Sequence, residues 1–392
     1  MNPTTRLSSI LDNDFYKFTM QNAVIKLFPY AKAQYQFINR GQHPFPENFG
    51  THLREAIQEM THLKLTLKEK EFLKVNCPYL DPTYLDFLQG YQYDPSEVTI
   101  IQTGAEVSVA IEGYWYRTIL WEVPIMSLIS ELYYELTQQV RADDAKVIAT
   151  VSKKVAAYKA LGIKFADFGT RRRHSFSVQD LVVQTLQKEG NGTFMGTSNV
   201  HLAMKYQTKP IGTHAHEWFM FHAARYGYKM ANTMGLEHWV DVYRGDLGIA
   251  LTDTFTTDVF FDQFDKKFAK LFDGVRHDSG DAIAFGEKTI AHYQKLGIDP
   301  LTKTIIFSDG LNYEKVERIA NHFKDKIGLS FGIGTNLTND VGLKPMNIVI
   351  KMIQALPEDQ QWTGVIKLSD EPHKHTGKTE DIELSKRLLH IN

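Results

Sequence analysis

From Ala142 onward the chain alternates short apolar runs with helical patterns, and each run ends in a polar or glycine-bearing turn. Strands separated by helix-length connections pair in parallel, because the crossover returns the chain to the same end of the sheet. The pattern predicts strands at Lys164–Phe168, Lys209–Gly212, Gly248–Thr252, around Gly274–Arg276, at Lys303–Phe307 and at Leu329–Gly332. Helices are predicted over Val178–Lys188, Trp218–Tyr226, Ala282–Leu296 and Tyr313–Phe323. The turns read Gly-Thr-Arg-Arg, Gly-Thr-His-Ala-His, Thr-Asp-Thr, His-Asp-Ser-Gly-Asp, Ser-Asp-Gly and Gly-Ile-Gly-Thr-Asn. In parallel sheets and barrels functional groups collect at the carboxyl ends of the strands, so these turns are expected to face one mouth.

The first third of the chain is different. Ser8–Phe28 carries apolar residues at helical spacing behind a Ser8–Ser9 cap, Ala33–Ile38 and Glu106–Ile111 alternate as strands do, and helical segments run between Leu53 and Leu88. A strand-like pair, Met346–Ile350 and Thr363–Leu368, precedes a polar tail and is expected to return to this first region. The expected division is 1–135, 136–342 and 343–392, and the lack of a Pro-, Gly- or Ser-rich linker predicts tight packing between the parts.

Charge and cysteine content exclude several function classes. The 392 residues carry a net charge of −2, with 44 Lys and Arg against 46 Asp and Glu. Binding driven by nucleic-acid phosphates or acidic membranes needs a marked basic excess, so no nucleic-acid or membrane partner is expected. Cys77 is the only cysteine; it reads as a small packed hydrophobe and can form neither an internal disulfide nor a thiolate zinc site. The apolar stretch Trp121–Tyr134 is broken by Glu122, Pro124 and Glu131, short of the roughly 18 apolar residues of a membrane span. Asp12 and Asp14 stand where a signal peptide needs an apolar core, so a cytoplasmic location is expected.

Several strand-end motifs could carry chemistry. In Gly212-Thr213-His214-Ala215-His216-Glu217 the two histidines share a face of an extended chain, but the next histidine, His222, is misplaced for a His-Glu-x-x-His zinc site, and no protein metal site is expected. His214 reads as a packed residue, whereas His216, at a helix start, is positioned as a nucleophilic or anion-contacting imidazole. Arg276-His277-Asp278-Ser279-Gly280-Asp281 joins a guanidinium, suited to carboxylate or phosphate, to carboxylates and a glycine turn, although a solvated turn is the plain alternative. Phe331-Gly332-Ile333-Gly334-Thr335-Asn336 offers backbone N–H groups to a phosphate. Arg171-Arg172-Arg173-His174 is concentrated positive charge that alone reads equally as a solvated face or an anion contact. Without a Ser-His-Asp order, these motifs indicate an enzyme acting on a phosphorylated sugar and give no finer reaction class.

The same residues resemble the nicotinate phosphoribosyltransferase family. The match rests on Leu11-Asp12-Asn13-Asp14-Phe15-Tyr16-Lys17-Phe18-Thr19-Met20, Asp167-Phe168-Gly169-Thr170-Arg171-Arg172, Gly196-Thr197-Ser198-Asn199, the Gly212–Trp218 segment, Asp278-Ser279-Gly280-Asp281, Gly332-Ile333-Gly334-Thr335-Asn336 and Lys367-Leu368-Ser369-Asp370. The motifs span nearly the whole chain. The resemblance implies an α/β fold: an irregular seven-stranded α/β barrel with an α/β domain formed by the N-terminal region and the returning C-terminus. It implies a homodimer with shared active sites, in which Tyr16 completes its neighbour's site. The implied reaction joins nicotinate to 5-phosphoribosyl 1-diphosphate, with ATP hydrolysis coupled through a phosphohistidine and Mg2+ bound to the substrates.

Carried over by resemblance, His216 is the phosphohistidine and Asp278 stabilises positive charge on the pyridine or ribose. Tyr16 and Phe168 sandwich the pyridine ring, although each alone reads as packing. Arg276, with Thr213 and Arg171, holds the carboxylate; Gly334 and Thr335 bind the 5-phosphate; Ser279 and Gly280 belong to the substrate-binding turn. Nicotinamide-specific relatives carry an Asp where Ser198 stands, which favours the acid here. The alternatives are a nicotinamide or quinolinate phosphoribosyltransferase, or a non-catalytic barrel that binds a sugar phosphate. The sequence departs from the family's pattern at His214, usually apolar, and in Glu371-Pro372-His373-Lys374, which replaces Ser-Pro-Gly-Lys.

Overall fold

The computed structural model describes residues 6–371 and 374–391, so Pro372 and His373 of the altered C-terminal loop lie outside the described residues. The first third supplies β1 (Lys32–Asn39), β2 (Val98–Thr103) and β3 (Glu106–Tyr114). The middle supplies β4 (Phe165–Asp167), β5 (Phe194–Thr197), β6 (Lys209–Pro210), β7 (Arg244–Leu247), β8 (Ile249–Leu251), β9 (Gly274–His277), β10 (Thr304–Phe307) and β11 (Gly328–Ile333). The chain then adds β12 (Ile348–Leu356) and β13 (Thr363–Gly364).

All of these strands except β7 form two sheets. One has five strands in the order β13-β12-β1-β3-β2, so the returning chain pairs with the first strand; the other has seven in the order β6-β5-β4-β11-β10-β9-β8. Pairing is antiparallel in the five-stranded sheet, with Lys32 opposite Leu356 and Asn39 opposite Ile348. In the seven-stranded sheet all pairs are parallel, so the strand ends named above open on one side. Among the described residues no helix is long and apolar enough to cross a membrane.

The parallel sheet curls, and side chains bridge its two edge strands. Thr213 Oγ1 donates to the Ile249 carbonyl at 3.2 Å, and the Leu251 N–H donates to His214 Nε2 at 3.2 Å. His214 is fully buried, edge-on to Trp239 and Phe219, with ring centroids 4.6 and 5.2 Å away. Burial, reinforced by Arg276 and neighbouring histidines, holds its pKa well below the usual range. A neutral imidazole therefore accepts the backbone N–H where an apolar residue could not.

Two expectations need correction. β5 was absent from the predicted strands, because it is four residues long and contains Gly196 at φ +147°, which breaks the apolar pattern. The first helix begins at Phe15 rather than Ser8. Its approach is instead fixed by tertiary contacts: Asp12 takes both ends of the buried Arg173 guanidinium, Asn13 donates to the Leu120 carbonyl, and Asp14 bridges Asn199. The Phe15 N–H, an orphan donor of the first turn, finds the Ser198 carbonyl at 2.7 Å.

Candidate active site

The strand ends open on a cavity of about 490 Å³ whose lining includes Tyr16, Phe168, Arg171, Ser198, His216, Arg276, Asp278, Gly334 and Thr335. His216 opens the helix His216–Tyr226 and is tied at both ring nitrogens. Nδ1 lies 3.0 Å from Thr254 Oγ1; Nε2 lies 3.0 Å from Asp278 Oδ2 and 2.7 Å from Lys367 Nζ. Lys367 Nζ is also 3.2 Å from Asp253 Oδ2. Ser308 donates to the other oxygen of Asp278, and Ser279 donates to Asp253.

This arrangement fixes protonation. Burial, then the Lys367 charge, pushes the His216 pKa down to about 4, so its ring is neutral at pH 7. Burial alone would raise Asp278, but the His216 contact and the charges of Arg276 and Lys367 hold it well below the ordinary carboxylate range. Lys367 overcomes burial in the same way and keeps Asp253 ionised. His216, Asp253 and Asp278 could together offer three ligands to a metal ion, but the Lys367 ammonium already lies among them, and a cation would have to displace it. A neutral imidazole beside a fixed ammonium suits attack on a phosphoryl group, whose charge the ammonium stabilises.

At the other side of the mouth, glycines make room for rings. A Cβ at Gly332 would lie 2.2 Å from the Phe168 ring, and one at Gly212 would lie 2.8 Å from the Tyr16 backbone nitrogen. The Arg276 Nε is buried without a partner, and among the described residues no carboxylate pairs with that guanidinium. Arg171 is held loosely, 3.4 Å from Glu122 and 3.9 Å from Asp14, with 47 % of its side chain exposed. A buried donor left unpaired is costly, as at Arg276, and the long contacts of Arg171 leave most of its donors to spare, so the two arginines are suited to an anionic ligand. Ser198 donates to Asp14 at 2.6 Å, and burial raises the Asp14 pKa. The Gly334–Thr335 turn follows β11, and Lys154 anchors its far end through the Asn336 carbonyl and Asp340.

Three expected site residues do not line this cavity. The Thr213 hydroxyl serves the sheet seam, and Ser279 orients Asp253. Gly280, at φ +84°, donates its N–H to Glu371 at 2.9 Å and so seats the C-terminal loop. All three support the site through neighbours. Tyr16 lines the cavity of its own chain, where the Asp14–Asn199 bridge fixes the start of its helix.

Sequence reasoning passed over other members. Asp253 and Thr254 belong to the Thr-Asp-Thr turn and Lys367 to the Lys-Leu-Ser-Asp motif, so both carried a signal that was left unassigned. Arg40, Arg172 and Lys351 also line the cavity, and none makes an ion pair or side-chain hydrogen bond among the described residues. Burial, then Lys367 and Arg40, pushes the Lys351 pKa down to about 7, and burial with Arg171 pushes Arg172 down to about 10.

Comparison with known proteins places the chain beside one group of enzymes. Residues 163–391 match the model of the nicotinate phosphoribosyltransferase (NAPRTase) family, and residues 11–130 match that of its N-terminal domain. A nicotinate phosphoribosyltransferase of Chromohalobacter salexigens is 64 % identical over 386 residues, covering 98 % of this chain and 99 % of the relative. One from Desulforapulum autotrophicum is 51 % identical over 96 % of this chain and 97 % of its own. The crystal structure of nicotinate phosphoribosyltransferase from Porphyromonas gingivalis superposes with a TM-score of 0.96 at 46 % identity, covering 98 % of this chain and all of the other. A putative nicotinate phosphoribosyltransferase from Saccharomyces cerevisiae gives a TM-score of 0.93 at 32 % identity, with 99 % of each chain covered.

Proposed function

The chain belongs to the nicotinate phosphoribosyltransferase family, and we propose from that premise that it joins nicotinate to 5-phosphoribosyl 1-diphosphate, releasing nicotinate mononucleotide and diphosphate. The observation that carries this reading is a single cavity lined by two aromatic rings, a guanidinium without a carboxylate partner, and a neutral imidazole between Asp278 and Lys367. A flat apolar ring with a carboxylate suits Tyr16, Phe168, Arg276 and Arg171. The pyridine nitrogen is itself the nucleophile, so substitution at the anomeric carbon needs orientation and charge stabilisation rather than a strong base.

In this reading Asp278 faces the positive charge that develops on the pyridine or ribose, and Gly334 and Thr335 hold the 5-phosphate. Arg40, Arg172 and Lys351 suit the diphosphate, whose Mg2+ arrives as part of the substrate. His216 accepts the γ-phosphoryl group of ATP on its neutral ring, ADP leaves, and later hydrolysis of the phosphohistidine returns the free imidazole. A homodimer with shared active sites belongs to the same proposal, and the sedimentation coefficient tests it. The chemical proposal predicts acid-labile label from γ-phosphate-labelled ATP on the wild type and none on His216→Ala. It also predicts a higher rate with nicotinate than with nicotinamide or quinolinate; a preference for either of the latter would move the substrate assignment.

A further inference from the structure

The Tyr16-Lys17 step of the first helix contains a lysine that the proposed reaction does not use. The Lys17 side chain is fully buried, beneath Tyr16, with Nζ 5.5 Å from the centre of that ring. Its ammonium is shared between two carboxylates: Glu122 Oε2 at 2.6 Å and Glu217 Oε1. Tyr35 donates to the second oxygen of Glu217 at 2.6 Å. Glu217 is the neighbour of His216, and the second oxygen of Glu122 faces Arg171 at 3.4 Å.

These contacts form one chain of charges from the histidine helix to the loosely held arginine. Burial opposes a charge on Lys17, but Glu122 and Glu217 together keep its pKa above the ordinary lysine value. Glu122 is therefore paired first with Lys17, and its contact with Arg171 is long. Without the ammonium, Glu122 would be a buried carboxylate with Arg171 as its nearest cation, and the two would pair closely because an uncompensated buried charge is costly.

We propose that Lys17 is a positioning residue for the anionic group of the pyridine substrate: by holding Glu122 it leaves Arg171 free for that group. The inference rests on the nicotinate reading. It assigns Lys17 no contact with substrate.

The test is steady-state kinetics on full-length wild type, Lys17→Met, Glu122→Gln and the Lys17→Met/Glu122→Gln double variant, varying nicotinate and 5-phosphoribosyl 1-diphosphate separately. Lys17→Met should raise KM for nicotinate by about tenfold, the loss of one charge-assisted contact, while KM for the phosphoribosyl substrate and kcat stay within about threefold. In the double variant the captor of Arg171 is neutral, so KM for nicotinate should return to within about threefold of wild type. A merely structural lysine predicts no such rescue. Both KM values rising together in Lys17→Met, or a double variant no better than the single, would overturn the proposal. Should Lys17→Met alone fail to fold, the double variant measured against Glu122→Gln decides: with the captor already neutral, loss of Lys17 should leave KM for nicotinate within about threefold, and a rise of about tenfold would overturn the proposal. A wild type that turns over no nicotinate removes the functional reading and this inference with it, whereas an active wild type with unresponsive variants removes only the inference.

Discussion

The histidine side of the cavity and the wall facing it carry charge in opposite ways. Around His216 every charge is answered: Lys367 reaches Asp253 and the imidazole, and Asp278 is held by His216 and Ser308. On the wall formed by the Thr170–Arg172 turn and the antiparallel sheet, Arg40, Arg172 and Lys351 line the cavity together; burial, then neighbouring cations that include Arg40, lowers the pKa of Arg172 and Lys351, and no carboxylate is paired to the three among the described residues. A balanced cluster sets protonation before substrate arrives, which suits a group that must react. An unbalanced wall stores electrostatic cost that an anion relieves, which suits a group that must bind.

The largest expected effect lies at the balanced end. His216→Ala should abolish ATP stimulation of product formation while leaving a slow ATP-independent reaction, read in the same assay. Stimulation that survives would mean that the imidazole does not carry the coupling. Next comes Arg276→Ala, which removes a charge-assisted contact of about 1.5–3 kcal/mol and should raise KM for nicotinate by tenfold or more. An unchanged KM would contradict its assignment to the carboxylate.

Lys351 gives a smaller effect that depends on pH. Its pKa near 7 means that the free enzyme loses this charge as pH rises through that value, so KM for 5-phosphoribosyl 1-diphosphate should climb between pH 6.5 and 8.5, by several-fold on the order of one weakened charge contact. Lys351→Met should flatten that climb. Stability should move the other way: from about pH 7 to the ordinary lysine value the unfolded chain holds the proton that the folded chain has lost, so this group's contribution to stability rises with pH. A pH profile shared by Lys351→Met and wild type would detach the residue from the diphosphate. The smallest effect is expected at Cys77, a buried thiol whose pKa burial pushes up to about 12; Cys77→Ala should leave turnover within about twofold, with only a packing loss in the thermal midpoint.

The legible part of this molecule is the part whose information is local. The strand predicted at Lys303–Phe307 appears as Thr304–Phe307, because an apolar run bounded by polar turns needs no distant partner to be recognised. Arg276, near the end of a parallel strand, and Gly334 and Thr335, directly after one, were accessible for the same reason, whereas Phe168 alone reads as packing and gained its role only through the resemblance. Lys367 was not, since it reaches His216 only because the returning chain crosses the mouth, with the Leu368 N–H donating to the Thr254 carbonyl at 2.8 Å. Arg40 and Lys351 are further from reach. They become neighbours through the antiparallel pairing of β1 with β12, in which Gln36 faces Lys351, and through the packing of that whole sheet against the barrel mouth. His214 shows the converse case: a histidine that invites a metal reading locally serves as a neutral acceptor in a sheet seam.

The most direct measurement is the yield of nicotinate mononucleotide from purified wild type supplied with nicotinate, 5-phosphoribosyl 1-diphosphate and Mg2+, with and without ATP. Product in both reactions, formed faster and to a higher final level with ATP, is the predicted result; no product, or a yield indifferent to ATP, would contradict it.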